Sequence, residues 1–240
     1  MGKWKLRLDK VTWREDAKRR AALAAVQHVK DNFVVGLGSG STAAYVIEEI
    51  GRLIREEGIQ VLGVPSSSQA MMVAVQSGVP LTTLDEHPVI DLDIDGADEI
   101  DGKLDMIKGG GGALTREKIV AHAAKQVVIV ADETKLAEKL GAFKVPVEIL
   151  PFALATAKAE IKKLGGKPFL RESKGKVGAV ITDNGNYILD VDFGLISDAE
   201  ELNQQLKLVP GVIETGLFIR LADVVYLAKP DGIIKLEKQQ

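Results

Sequence analysis

Short apolar runs that end in glycine, each followed by a stretch at helical spacing, restrict this chain more than any other feature. Phe33-Val34-Val35-Gly36-Leu37-Gly38 is one such run, and behind it Ala43, Val46, Ile47, Ile50 and Ile54 recur at the intervals of an amphipathic helix. Residues 59–64, 79–84 and 89–94 read as further strands, 17–29 and 114–125 as helices, and Val127-Val128-Ile129-Val130 as a buried strand. Ser66 and Gln69 have the spacing of a capping box for a helix between two of these strands. Strands alternating with helices predict an α/β fold with a Rossmann-like, mostly parallel sheet covered by helices on both faces.

The rhythm changes near residue 143. Residues 145–149 read as a strand, and Leu154, Ala157, Ile161 and Leu164 mark a helix that ends at Gly165-Gly166. Residues 177–182 and 187–191 flank Asp183-Asn184-Gly185-Asn186, a hairpin signal. A helix over 198–208 closes at Pro210-Gly211, and 213–219 is the next strand. The order β-α-β-β-α-β predicts a smaller ferredoxin-like α+β domain over 144–213. Strands at 224–227 and 233–236 would then return to the first sheet, so that domain comprises 1–143 and 214–240.

With 240 residues, 46% of them hydrophobic, the chain can build a core for one large domain or two unequal ones. A formal net charge of −3 gives no basic face for nucleic acid. The absence of cysteine excludes disulfides, thiolate catalysis and cysteine-based zinc sites. Residues 1–20 are charged and carry no apolar core segment, so no signal peptide is expected, and no run approaches the roughly 18 apolar residues that span a bilayer. These features predict a soluble cytoplasmic protein without nucleic-acid or membrane partners.

Four segments carry chemistry. In Lys108-Gly109-Gly110-Gly111-Gly112-Ala113-Leu114-Thr115-Arg116-Glu117-Lys118, four glycines sit between a lysine and a helix with a carboxylate in its first turn. Glycines cost backbone entropy, and here they would expose N–H groups to a small anion. Glu117, at a helix N-terminus, is expected to stay ionised as a base must, beside the fixed charge of Lys108. In Gly36-Leu37-Gly38-Ser39-Gly40-Ser41-Thr42 a strand runs into a helix through Ser39, Gly40, Ser41 and Thr42. The third glycine of a dinucleotide fingerprint and the lysine of a triphosphate loop are both missing, so a phosphomonoester fits best. Ser66-Ser67-Ser68 follows a strand and offers a further sugar-phosphate contact. Asp91-Leu92-Asp93-Ile94-Asp95-Gly96-Ala97-Asp98 starts like a calcium loop, but its twelfth position is Gly102 rather than a glutamate. It reads instead as a strand end that delivers Asp95 and Asp98 to a site. Lys135 lies at another strand end, and His28, His87 and His122 show no metal-ligand spacing.

Taken together, Gly38 to Thr42, Ser66-Ser67-Ser68, Asp95-Gly96-Ala97-Asp98-Glu99-Ile100, the run 108–118, Ala131-Asp132, Pro146-Val147-Glu148, Thr182-Asp183-Asn184-Gly185-Asn186 and Pro210-Gly211 resemble the ribose-5-phosphate isomerase type A family over nearly the whole chain. The resemblance implies interconversion of D-ribose 5-phosphate and D-ribulose 5-phosphate in the pentose phosphate pathway, without metal or cofactor, in a homodimer or homotetramer. It places the proton acceptor on Glu117, with Asp95 and Lys108 as further catalytic groups. Its substrate loops fall on Ser39 to Thr42, on Asp95, Gly96, Ala97 and Asp98, and on Lys108, Gly109, Gly110 and Gly111, with a further substrate lysine at Lys135. A family lysine near the N-terminus aligns with Arg19, preceded by Lys18, and neither is assigned a role. Extra residues around 171–178 fall in the small domain, away from the chemistry. A CoA transferase, an amino-sugar phosphate isomerase and a sugar-phosphate sensor without turnover are the alternative readings.

Overall fold

The computed structural model describes residues 13–173, 175 and 177–238; residues 1–12, read above for a leader, lie outside them. In chain order the elements are α1 (Trp13–Val26), β1 (Phe33–Leu37), α2 (Ser41–Glu57), β2 (Val61–Pro65), α3 (Ser68–Ser77), β3 (Leu92–Gly96), β4 (Glu99–Ile100), β5 (Met106–Ile107), α4 (Leu114–Ala123) and β6 (Val127–Asp132). They continue with β7 (Val145–Ile149), α5 (Leu154–Lys163), β8 (Lys167–Leu170), β9 (Tyr187–Asp192), α6 (Ala199–Lys207), β10 (Val212–Thr215), β11 (Leu217–Phe218), β12 (Val224–Lys229) and β13 (Gly232–Glu237).

The large sheet has the order β13-β12-β6-β3-β1-β2, parallel except for β13, which pairs antiparallel with β12. β6 is buried along its whole length because it is an inner strand with side chains engaged on both faces. Val128 and Val130 pack with Ala17, Ala21 and Ala25 of α1 and with Val46, Ile47 and Ile50 of α2. Ile129 and Ala131 face the other way, toward Leu114 and Ala121 of α4. The small side chains of α1 let it lie close to the sheet. Truncating fully buried Ile50 to alanine would cost about 2–5 kcal/mol. Parallel register puts the carboxyl ends of β1, β3 and β6 side by side: Leu37 opposite Ile94, and Gly96 opposite Val130. Ligands of open α/β sheets bind at this edge.

The second sheet has the order β10-β7-β9-β8, antiparallel throughout. Val147, Ile149, Leu189 and Val191 face α5 and α6. Strand alternation therefore turns Glu148, Ile188 and Asp190 to the opposite face, where Ile188 packs with Leu114 of α4. One face of this sheet makes its own core and the other leans on the helix that carries Glu117.

Several segments depart from expectation. Residues 79–84 form no strand among the described elements, only a parallel bridge between Leu81 and Gly63; Pro80 supplies no N–H for a ladder there. Besides β7, β9 pairs with β8 and not with 177–182, which contributes only isolated bridges from Ala179 and Ile181. The 182–186 turn does form, with the Thr182 N–H on the Asn186 carbonyl. The expected strand 213–219 splits at Gly216 into β10 and β11; a side chain at 216 would strike the Lys108 carbonyl at 2.3 Å. β10 runs past the expected boundary to Thr215, and β11 joins β5 and β4 in a small third sheet that the sequence did not signal. The cap of α3 is Ser67, whose hydroxyl accepts the Ala70 N–H, rather than Ser66. No helix among the described residues is long and apolar enough to cross a membrane.

Candidate active site

The loop after β1 is held by its immediate neighbours. Asp95, at the end of β3, accepts the Ser39 N–H on Oδ1 at 3.0 Å. The Ser39 hydroxyl donates to Ser67 at 2.6 Å and lies 2.9 Å from Ser66, which donates to the Leu37 carbonyl. The Gly40 N–H donates to the Gln69 side chain at 2.9 Å. Ser66 and Ser67 thus brace Ser39, and Ser68 donates its N–H to Asp183 at 2.7 Å. α2 starts at Ser41 without a side-chain cap, so its first-turn N–H groups face outward at the positive end of the helix dipole. That arrangement suits a phosphate.

The four-glycine run forms a turn closed by the Gly112 N–H on the Gly109 carbonyl, with Gly109 at φ +104°. The Gly110 N–H donates to Asp98 Oδ2 at 2.6 Å, and a side chain at 110 would lie 2.6 Å from Asp98 Oδ1. Glycine is required at the first for its left-handed backbone and at the second for close approach. α4 then begins at Leu114, again without a side-chain cap.

Lys108 and Glu117 face one another across the end of this run. Lys108 Nζ sits 2.9 Å from Asp95 Oδ2 and 2.5 Å from the Gly96 carbonyl, and 3.5 Å from Glu117 Oε2. All three side chains are almost wholly buried. Burial opposes the charge on Lys108, but Asp95 and Glu117 outweigh it and raise its pKa, so it remains an ammonium. Burial pushes Glu117 up to about 8, against the pull of Lys108 and with repulsion from Asp95 and Asp98 added. The expectation that the helix dipole keeps Glu117 ionised is therefore corrected: desolvation is the larger effect. Glu117 Oε2 has no hydrogen-bond partner among the described residues. Asp93, one pleat below Asp95, is likewise buried, and its carboxyl is raised well above the usual range by burial and then by Asp95. Asp91 is taken by Lys125 and the Val34 N–H, which disposes of the calcium-loop resemblance.

A cavity of about 340 Å³ opens above these groups. Ser39, Gly40, Ser41, Thr42, Gly96, Ala97, Asp98, Lys108, Gly109, Gly111, Glu117 and Lys135 line it. Asp95 and Gly110 do not: Asp95 lies under the floor with both oxygens engaged, and Gly110 is turned toward Asp98. Lys135 is presented by a short turn capped by Asp132, which accepts the Thr134 N–H at 3.0 Å. Lys18 of α1 also lines the cavity, whereas Arg19 stacks over Tyr45. The signal for choosing Lys18 was helical phase, since it follows Ala17 on the buried stripe. Among the described residues no group of three or more histidine, aspartate or glutamate side chains could hold a metal ion.

The family model for ribose 5-phosphate isomerase A (phosphoriboisomerase A) matches residues 62–232. This chain belongs to the ribose 5-phosphate isomerase A family. It is 52% identical over 223 residues to ribose-5-phosphate isomerase A of Methanosarcina acetivorans, covering 93% of this chain and 94% of that one. Among solved structures, ribose 5-phosphate isomerase A of Methanocaldococcus jannaschii superposes with a TM-score of 0.90 at 46% identity, over 93% of this chain and 99% of the other. A D-ribose-5-phosphate isomerase in complex with phospho-erythronic acid superposes with a TM-score of 0.91 at 40% identity, over 93% and 99% of the two chains. The mostly parallel sheet with its antiparallel companion is thus the architecture of the family.

Proposed function

We propose that this chain interconverts D-ribose 5-phosphate and D-ribulose 5-phosphate through an enediolate, in the non-oxidative branch of the pentose phosphate pathway, with no cofactor. The observation that carries the reading is Glu117 Oε2, buried at the cavity, free of hydrogen bonds and 3.5 Å from the Lys108 ammonium. A carboxylate so placed takes the proton from C2 of the open-chain aldose and returns it to C1, while the proton on O2 passes to O1. Asp95 and the Gly96 carbonyl occupy two of the three ammonium protons of Lys108, and the third is left for the oxygen that gains charge. Lys108 therefore serves the enediolate end. The uncapped start of α2, the Ser39–Thr42 hydroxyls and the surface lysines Lys18 and Lys135 serve the phosphate. Asp98 receives sugar hydroxyls, and Asp95 works from below by holding Lys108 and the first loop in place. The phospho-erythronic acid held by a relative carries a carboxylate and a phosphate, the two charges this cavity is equipped to separate.

Ketose formation from ribose 5-phosphate, measured with and without a chelator, tests the assignment. Activity that survives chelation is expected, together with a loss of roughly 100- to 10,000-fold in kcat for Glu117→Gln. Near wild-type turnover by that variant would remove Glu117 from the mechanism; ammonia release or acyl-CoA exchange in place of ketose formation would favour the rival chemistries. We also propose a homo-oligomer, on the strength of the exposed Leu150, Phe152 and Leu208 on adjoining segments of the second sheet's unit, to be measured by light scattering.

A further inference from the structure

Arg171 follows β8 in the second sheet, in the segment the sequence set away from the chemistry, and its side chain is only 14% exposed. Asp190 on β9 holds the guanidinium in a two-pronged pair: Nε donates to Oδ2 at 2.9 Å and Nη2 to Oδ1. The pair neutralises the charge and fixes the plane of the fork. The remaining nitrogen, Nη1, donates to the Gly109 carbonyl at 2.8 Å and to the Gly110 carbonyl at 3.2 Å.

The described chain has no cis peptide bond, and in a trans peptide the N–H points opposite to the carbonyl before it. With the Gly109 carbonyl on Arg171, the Gly110 N–H is sent to the other side, where Asp98 Oδ2 receives it at 2.6 Å. One peptide plane is thus held at both ends. With the Gly110 carbonyl also on Arg171, the Gly111 N–H is turned away from the guanidinium, and Gly111 itself lines the cavity. Glycine peptides lack side chains to hold their planes, so an outside clamp has to set them.

We propose that Arg171 is a positioning residue for the isomerase site, holding the Gly109 and Gly110 carbonyls so that Asp98 and the Gly111 N–H meet the sugar in fixed directions. The inference rests on the isomerase reading above. It assigns the second sheet a part in turnover through Asp190 and Arg171, with no contact between Arg171 and substrate. Lysine cannot replace the fork, because an ammonium carries the charge without the planar geometry that reaches Asp190 and two carbonyls together.

The test compares wild type, Arg171→Met and Arg171→Lys for kcat and KM on ribose 5-phosphate, with inorganic phosphate as a competitive inhibitor to read the phosphate end alone. Small misplacements of reacting groups cost up to about 100-fold, so kcat should fall about 10- to 100-fold in Arg171→Met and by a smaller factor in Arg171→Lys. The phosphate inhibition constant should stay within about twofold, since the first loop is held by other residues. Millimolar guanidinium chloride should restore part of the kcat of Arg171→Met and none of that of wild type. Wild-type kcat in either variant, or equal losses in kcat and phosphate affinity, would overturn the proposal. If Arg171→Met does not fold, the lysine variant decides alone. A wild-type protein that makes no ketulose would sink the isomerase reading instead, which keeps the two failures apart.

Discussion

The loop after β1 and the glycine run before α4 meet in one cavity, yet they are held in contrasting ways. The first takes its partners from the same sheet edge: Asp95 from the next strand, Ser66, Ser67 and Gln69 from the segment after β2. The second is held in part by Asp98, just after β3, and in part from across the molecule, by Arg171 and, through Thr115 at the start of α4, by Glu148 on β7. Glu148 is fully buried and accepts from Thr115, Thr182, Asn184 and Asn186, so one carboxylate ties the 182–186 turn to the first turn of α4. Arg116 and Ser68 reach the same turn through Asn184 and Asp183. A phosphate changes little during the reaction and needs only a preformed local nest. On the proposed assignment, the reacting end gains charge on oxygen, and the groups around it are fixed from two sheets at once.

Damage to the two loops should therefore divide between kcat and KM. Of the two loops, the larger effect is expected from Lys108→Met, which removes the ammonium at the head of the glycine run. Loss of a donor to a developing oxyanion typically costs about 100- to 1000-fold in kcat, and KM should move much less. A Lys108→Met enzyme that loses affinity and keeps kcat would place this lysine on the phosphate and erase the distinction. Ser39→Ala is expected to do the reverse. It removes the hydroxyl of a cavity-lining residue, bonded to Ser67, and should raise KM about tenfold with kcat nearly unchanged, as loss of a hydrogen bond to a charged group does. Steady-state kinetics on the two variants, side by side, are sufficient to decide.

The same contrast explains what could be read before the fold was known. The strands, the helices and the loop Gly38 to Thr42 were legible because their determinants are local: apolar period, glycine at the strand end, hydroxyls at a helix start. The β-α-β-β-α-β order was legible too, although β8 was missed, because Lys167-Pro168-Phe169-Leu170 has neither alternation nor a run of branched residues. The two-residue strands β4 and β5 were too short for any period to show. Arg171 was invisible as a contributor because its partners lie 61 and 62 residues back and are backbone carbonyls, which leave no mark in a sequence. The state of Glu117 was misjudged for a related reason: helix position can be counted along the chain, whereas desolvation depends on what covers the carboxyl.

That misjudged state yields the smallest and sharpest prediction. Glu117 moves from an ordinary value of 4.5 to about 8 on folding, chiefly through burial. Between those values the folded protein holds a proton that the unfolded chain has released. The linked stability is present in full below about 4.5 and is lost as the pH climbs through about 8. Glu117→Gln keeps the shape and cannot ionise, so it should match wild type near pH 4.5 and grow more stable relative to it up to about pH 8. The gain should widen steadily across that interval and be read as a growing difference in Tm between the two proteins. Over the same interval wild-type kcat/KM should rise, because only the ionised carboxyl accepts the proton from C2. Thermal melts of both proteins and a pH–rate profile of the wild type should therefore inflect together. A Tm difference that does not change with pH would mean that Glu117 is already ionised in the resting enzyme, with Lys108 outweighing burial. The glycine run would then be set around a carboxylate held ready in advance, as the phosphate loop is, and the two loops would differ only in where their supports come from.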